Sequence, residues 1–140
     1  QLFPVASPAL LQRFGTPQEP AELLRYPLLM RDGADLVPKW EIWFKQVGLT
    51  LDALQESVRF ADTNMTLEAA LLGQGVALAR SGHVEKELRD GSLVRLLSVT
   101  FSSPAAYYFV CPQGIESQPH IVNFRRWLLA ESRQAQQDYQ

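Results

Sequence analysis

Asp62, Thr63 and Asn64 stand where a strand-like run, Val58-Arg59-Phe60, gives way to a helix-forming stretch from about Met65 to Leu72. All three residue types favour a helix N-cap, so this corner should set side-chain hydroxyl and amide groups beside the unpaired backbone N–H groups of a new helix. Such a corner holds carboxylates and other small anions. Arg31 and Asp32 form a second polar corner, after the apolar run Tyr26 to Met30. Arg31 offers a fork to a carboxylate, which Thr63 and Asn64 could orient by hydrogen bonds. The plainer readings are a solvated turn for Arg31 and Asp32 and simple capping for Thr63 and Asn64; capping is compatible with binding.

Catalytic chemistry finds little support. His83 and His120 are far apart and belong to no metal-ligand spacing such as H-x-x-x-H, Cys111 has no elbow motif, and Ser98, Ser102 and Ser103 lack a G-x-S-x-G setting. Gly73-Gln74-Gly75 resembles the start of a dinucleotide fingerprint, but its glycines close a helix and lead into the apolar run Val76 to Ala79, the reverse of the required order. They read as a helix C-cap and a tight turn. No catalytic residue, metal ligand or cofactor is expected. What remains is a set of polar corners at strand ends, where open α/β sheets bind small ligands.

The elements that position these corners are legible as alternating strands and helices. Leu2 to Ala6 is a strand-like run, and Ser7-Pro8 is an N-cap with proline at the first helical position of a short helix through Leu11. Pro20 starts a second short helix over Ala21 to Arg25, and Tyr26 to Met30 reads as a buried strand. Pro38 starts a helix in which Trp40, Trp43, Phe44 and Val47 form one apolar stripe, fit for core or interface packing, and Gly48 ends it. Ser57 to Phe60 is another strand; Val84 to Arg89 is a short charged helix, and Leu93 to Leu97 and Ala105 to Cys111 are strands. Pro119 opens the last helix, with Ile121, Phe124, Trp127 and Leu128 on an apolar face and a fraying polar tail past Ser132.

Composition permits one domain with a real core: 140 residues, 46% hydrophobic, with no internal repeat. Thirteen basic and fifteen acidic residues give a net charge of −2, so there is no electrostatic footprint for nucleic acid here, and DNA contact is expected elsewhere in a parent protein. The single cysteine fits a reducing compartment. No run approaches the length of a membrane span. The chain opens at Gln1 directly on an apolar strand, as expected of a piece of something longer.

Several runs together resemble the effector-binding domain of LysR-type transcriptional regulators, in the branch of the glycine-cleavage activator. They are Pro4-Val-Ala-Ser-Pro8, Tyr26-Pro-Leu-Leu29, Trp40-x-x-Trp43-Phe44 with Gly48, Ala69-Ala-Leu-Leu-Gly-Gln-Gly-Val-Ala-Leu-Ala-Arg80, Leu88-Arg-Asp-Gly-Ser-Leu-Val94, Ala106-Tyr-Tyr-Phe-Val-Cys-Pro112 and Phe124-Arg-Arg-Trp-Leu128. Each is weak alone; their order and spacing over nearly the whole chain make them specific.

The resemblance implies an α/β fold like that of type 2 periplasmic binding proteins, two lobes joined by crossover strands with an inducer between them. Residues 1–6 would be a crossover strand, 7–104 the complete second lobe, 105–132 the return strand and C-terminal helix of the first lobe, and 133–140 a polar tail. The start of the first lobe and an N-terminal winged helix-turn-helix would lie outside this chain. Function would be binding: a small, anionic metabolite effector sensed in the cytoplasm by a homo-dimer or tetramer that reaches DNA through the absent head and touches no membrane. Arg31, Asp32, Asp62, Thr63, Asn64 and Tyr108, the last from the return strand, are the effector-binding candidates. The alternative from another class is a lobe of an exported solute-binding protein for transport.

Overall fold

The computed structural model describes residues 1–33, 39–50, 58–102 and 107–137. Two compact units divide the chain, Gln1–Pro104 and Ala105–Gln140.

The first unit is built on a five-stranded mixed sheet. Its strands are β1 (Leu2–Ala6), β2 (Leu28–Arg31), β3 (Val58–Phe60), β4 (Val76–Arg80) and β5 (Val94–Arg95), in the order β3-β2-β4-β1-β5. β2 runs parallel to β3 and β4, whereas β1 runs antiparallel to β4 and β5. Every residue of β1 is buried, as expected of a strand with a neighbour on each side and helices on both faces.

The helices follow local signals closely. Ser7 caps α1 (Pro8–Phe14), accepting from the Leu10 amide, with proline at the helix start. In α2 (Trp40–Gln46) the spacing of Trp40, Trp43 and Phe44 places all three in the core, with Trp43 edge-on to both aromatic neighbours. α3 (Thr63–Leu71) packs its small Ala69 and Ala70 against the sheet. Gly73 closes α3 at φ 71°, and Gly75 passes so near β2 that a Cβ there would lie inside van der Waals contact of the Pro27 carbonyl oxygen. α4 (Glu85–Asp90) ends at left-handed Gly91.

Alternate residues of β2 enter different cores. Leu28 and Met30 join Leu10, Leu23, Trp40, Trp43 and Phe44, while Leu29 joins Phe3, Val5, Ala70, Val84 and Leu93. The sheet is thus the middle layer of an α/β sandwich, with α1 and α2 on one side and α3 on the other.

Three expectations change. Residues Pro20–Arg25 wind as a 3₁₀ helix rather than an α-helix. The strand expected over Leu93 to Leu97 shrinks to Val94–Arg95, because the chain turns back so that the Arg95 guanidinium binds the Leu97 and Ser98 carbonyls. The return strand is also revised: Ala105 and Ala106 lie outside the described residues, and Tyr107 to Cys111 form no ladder. High β propensity makes a strand only when a neighbouring backbone pairs with it, and none among the described residues does. The expected helix start at Pro38 and strand start at Ser57 also lie outside the described residues.

The second unit holds α5 (Pro119–Gln137). Its polar end continues helical beyond Ser132, since Gln and Ala are good helix formers. Phe109 packs on Phe124 and Phe124 on Trp127, each pair with centroids 5.6 Å apart.

Candidate ligand site at the carboxyl ends of the strands

Parallel strands β2 and β4 lie side by side, and each ends in an arginine, Arg31 and Arg80. The chain leaves β2 toward β3 at one edge and leaves β4 toward β5 at the other. This divergence opens a crevice at the carboxyl ends of adjacent strands, where α/β sheets hold ligands. α3 starts beside it, after β3.

The crevice is a recess of about 30 Å³. Leu29 and Leu78 contribute from the strands, Thr63, Thr66 and Leu67 from α3, and Arg31, Arg80 and His83 supply the cationic or titratable groups. So small a recess suits a compact head group rather than a whole ligand. No carboxylate lines it among the described residues. The Arg31 Nε is buried without a hydrogen-bond partner among the described residues, an N–H group whose desolvation they leave uncompensated.

Local capping explains the neighbouring polar groups. The Asp62 carboxylate accepts from the Asn64 amide at 2.6 Å, and the Thr66 hydroxyl donates to the Asp62 carbonyl at 2.9 Å. Asp62 is therefore the cap that sets where α3 begins and so where Thr63 stands. His83 sits at the rim with its outer side exposed. Partial burial of its inner side, then the Arg80 and Arg31 guanidiniums, hold its pKa below that of an ordinary histidine.

Arg31 also borders a second recess of about 180 Å³, with Asp32, Lys39, Trp40, Glu41 and Arg59 around it. Asp32 pairs there with Arg59 at 3.2 Å, and both side chains are more than half exposed, so the pair adds little stability.

Of the residues singled out in the sequence, the structure brings Arg31 and Thr63 into one recess. Asp62 and Asn64 serve the helix start without lining it, and Asp32 faces the neighbouring recess. Tyr108 belongs to the second unit, where it is 82% exposed. Thr66 and Arg80 were not singled out, and His83 was weighed only as a metal ligand. The available signal was Arg80 itself, a cation closing an apolar strand as Arg31 does.

The LysR substrate binding domain matches residues 1–133. The chain belongs to that family. Similar proteins of the LysR family include the Escherichia coli (strain K12) glycine cleavage system transcriptional activator, 32% identical over 142 residues that take in 99% of this chain and 44% of that protein. The HTH-type transcriptional activator AmpR of Pseudomonas aeruginosa is 34% identical over 111 residues, 79% of this chain and 36% of its own. This LysR chain thus spans less than half the length of the curated relatives it matches. Among solved structures, the effector domain of AmpR from Pseudomonas aeruginosa superposes with a TM-score of 0.73 at 28% identity, covering 99% of this chain and 65% of that one. The regulatory domain of CrgA, a LysR-type regulator of Neisseria meningitidis, shares the fold with a TM-score of 0.66 at 20% identity. The LysR domain fold is therefore the periplasmic-binding-protein-like type 2 architecture expected from sequence. These relatives are transcriptional regulators, and the transport alternative finds no support among them.

Proposed function

We propose that this chain is the effector-sensing and oligomerising region of a DNA-binding LysR-type regulator, and that its effector presents an anionic group to the Arg31 and Arg80 recess. One observation carries the reading: guanidinium groups from the ends of adjacent parallel strands border a recess with no carboxylate in its described lining. An anion there would supply the acceptor that the Arg31 Nε lacks among the described residues. The parent is read as a cytoplasmic protein without catalytic activity that contacts DNA through a segment outside this chain, as the HTH-type names of relatives suggest. Among the described residues no helix is long and apolar enough to cross a membrane. A signal can pass only if the effector binds one arrangement of the parent more tightly than another.

Arg31→Met and Arg80→Met in the intact parent should each weaken the effector response tenfold or more, about 1.4 kcal/mol, with unchanged far-UV circular dichroism. Thr63→Ala should also weaken the response more than the folding. Asn64→Ala should do so less, since Asn64 does not line the recess. A promoter-binding titration against effector concentration reads these effects. A normal response from both arginine variants would refute the site.

Association of the isolated chain would rest on the second unit. Tyr107, Tyr108 and Val110 are each 82% exposed, and Phe124, Trp127 and Leu129 on α5 about half exposed. So much apolar surface calls for a cover, which the start of the first lobe would supply in the parent and a second copy would supply for the isolated chain. Light scattering across micromolar concentrations should give the isolated chain a mass above the monomer; a monomeric mass throughout would count against association through this face.

A further inference from the structure

We propose that His83 is a proton-gated third cation of the Arg31 and Arg80 recess, taking up a proton when an oxyanion binds. The inference rests on the reading of this recess as an anion site and adds to it a residue and a dependence on pH.

The geometry sets the two states apart. Without a ligand, His83 faces the guanidiniums of Arg80 on β4 and Arg31 on β2, while the α3 residues at the recess, Thr63, Thr66 and Leu67, carry no charge. A proton on the imidazole would put a further positive charge among like charges. On its outer side His83 borders a groove with Glu85, Lys86, Glu87 and Arg89, two acids and two bases, of which Glu85 and Arg89 pair at 3.0 Å. The charges of the groove thus largely offset one another, while burial and then Arg80 and Arg31 disfavour the protonated ring.

An oxyanion held between the arginines reverses their effect. It offsets their charge and gives the imidazolium an acceptor, so protonated His83 is favoured in the complex and disfavoured without it. The sign of the linkage follows. The histidine pKa is lowered in the free protein and higher in the complex, so binding takes up a proton between the two values, and affinity rises as pH falls through the bound-state value. Below the free-state value the gain levels off.

Inorganic sulfate is a suitable probe, since its own charge does not change between pH ~5.5 and pH ~8 where histidine titrates. Its binding to the full chain can be followed by the Thr63 and Thr66 amide resonances at matched ionic strength. The dissociation constant should fall about threefold or more from pH ~8 to pH ~5.5, one unit of pKa difference corresponding to tenfold. The His83 ring proton should titrate at higher pH in sulfate than in chloride. His83→Gln, which cannot take up a proton, should bind sulfate with a flat pH profile. An unchanged pH slope in His83→Gln, with binding still lost in Arg31→Met, would overturn the gate and leave the anion site standing. Equal sulfate binding by Arg31→Met and the unaltered chain would overturn both.

Discussion

Trp40→Ala should destabilise the first unit by about 3–5 kcal/mol, the range for removing a large aromatic side chain from a packed core. Trp40 is 2% exposed, with ring centroids 5.7 Å from Trp43 and 5.5 Å from Phe44. Its loss would leave a void that these stiff neighbours cannot fill. The indole also does something a smaller aromatic ring cannot: its Nε1 donates to the Leu29 carbonyl at 3.0 Å, tying α2 to the strand that carries Arg31. Trp40→Phe should therefore lose that hydrogen bond, about 1 kcal/mol, as well as some packing. Trp43 supplies the contrast. It is fully buried, yet its indole N–H has no hydrogen-bond partner among the described residues, so Trp43→Phe removes a donor uncompensated there. Urea unfolding followed by circular dichroism should rank Trp43→Phe as milder than Trp40→Phe, and the reverse order would discount the Leu29 bond.

Gly75→Ala should cost about 2–3 kcal/mol or more, for one added methyl group. The backbone at Gly75 is open to any residue, so strain in φ is not the cause. The added Cβ would meet the Pro27 carbonyl oxygen well inside contact distance and Leu29 side-chain carbons at 2.9 Å. Neither neighbour gives easily. The Pro27 oxygen accepts from the Val76 amide at 2.9 Å at the start of the β2 and β4 pairing, and Leu29 is 2% exposed. Relief requires β4 to move away from β2, which would also separate Arg31 from Arg80. Thermal unfolding should show the loss of stability, and the sulfate titration should show weaker binding where the variant still folds. A variant as stable as the parent chain would mean that the two strands are less firmly held than their register implies.

What the sequence disclosed was local, and what it withheld was pairing. Ser7, Asp62 and Gly73 act within a few residues of themselves, so their capping roles could be read from type and position. The stripe of Trp40, Trp43 and Phe44 was equally visible, because its period belongs to a single helix. Arg31 and Thr63 could be named as polar groups at corners. Their meeting with Arg80 and His83 depends on β2 lying beside β4 although β3 and α3 intervene in the chain, and no spacing encodes that order. Asp32 looked like a ligand group for the same local reason that Arg31 did, but Arg59 on the adjacent strand takes its carboxylate. Tyr107 to Cys111 has the residue types of a strand, and without a paired backbone those types leave aromatic side chains in solvent.

The place of β1 in the sheet bears on how the unit is assembled during synthesis. Leu2 to Ala6 is made well before its partners in the sheet, since Phe3 pairs with Ala79 and Val5 with both Ala77 and Arg95. An apolar strand that is buried on every side at the end must therefore wait until most of the unit has been made. Pairing across such separations pays its loop-closure entropy late and slows folding. The growing chain carries an unsheltered apolar strand throughout that interval, and a holdase that grips it would set the time at which the ligand recess can form.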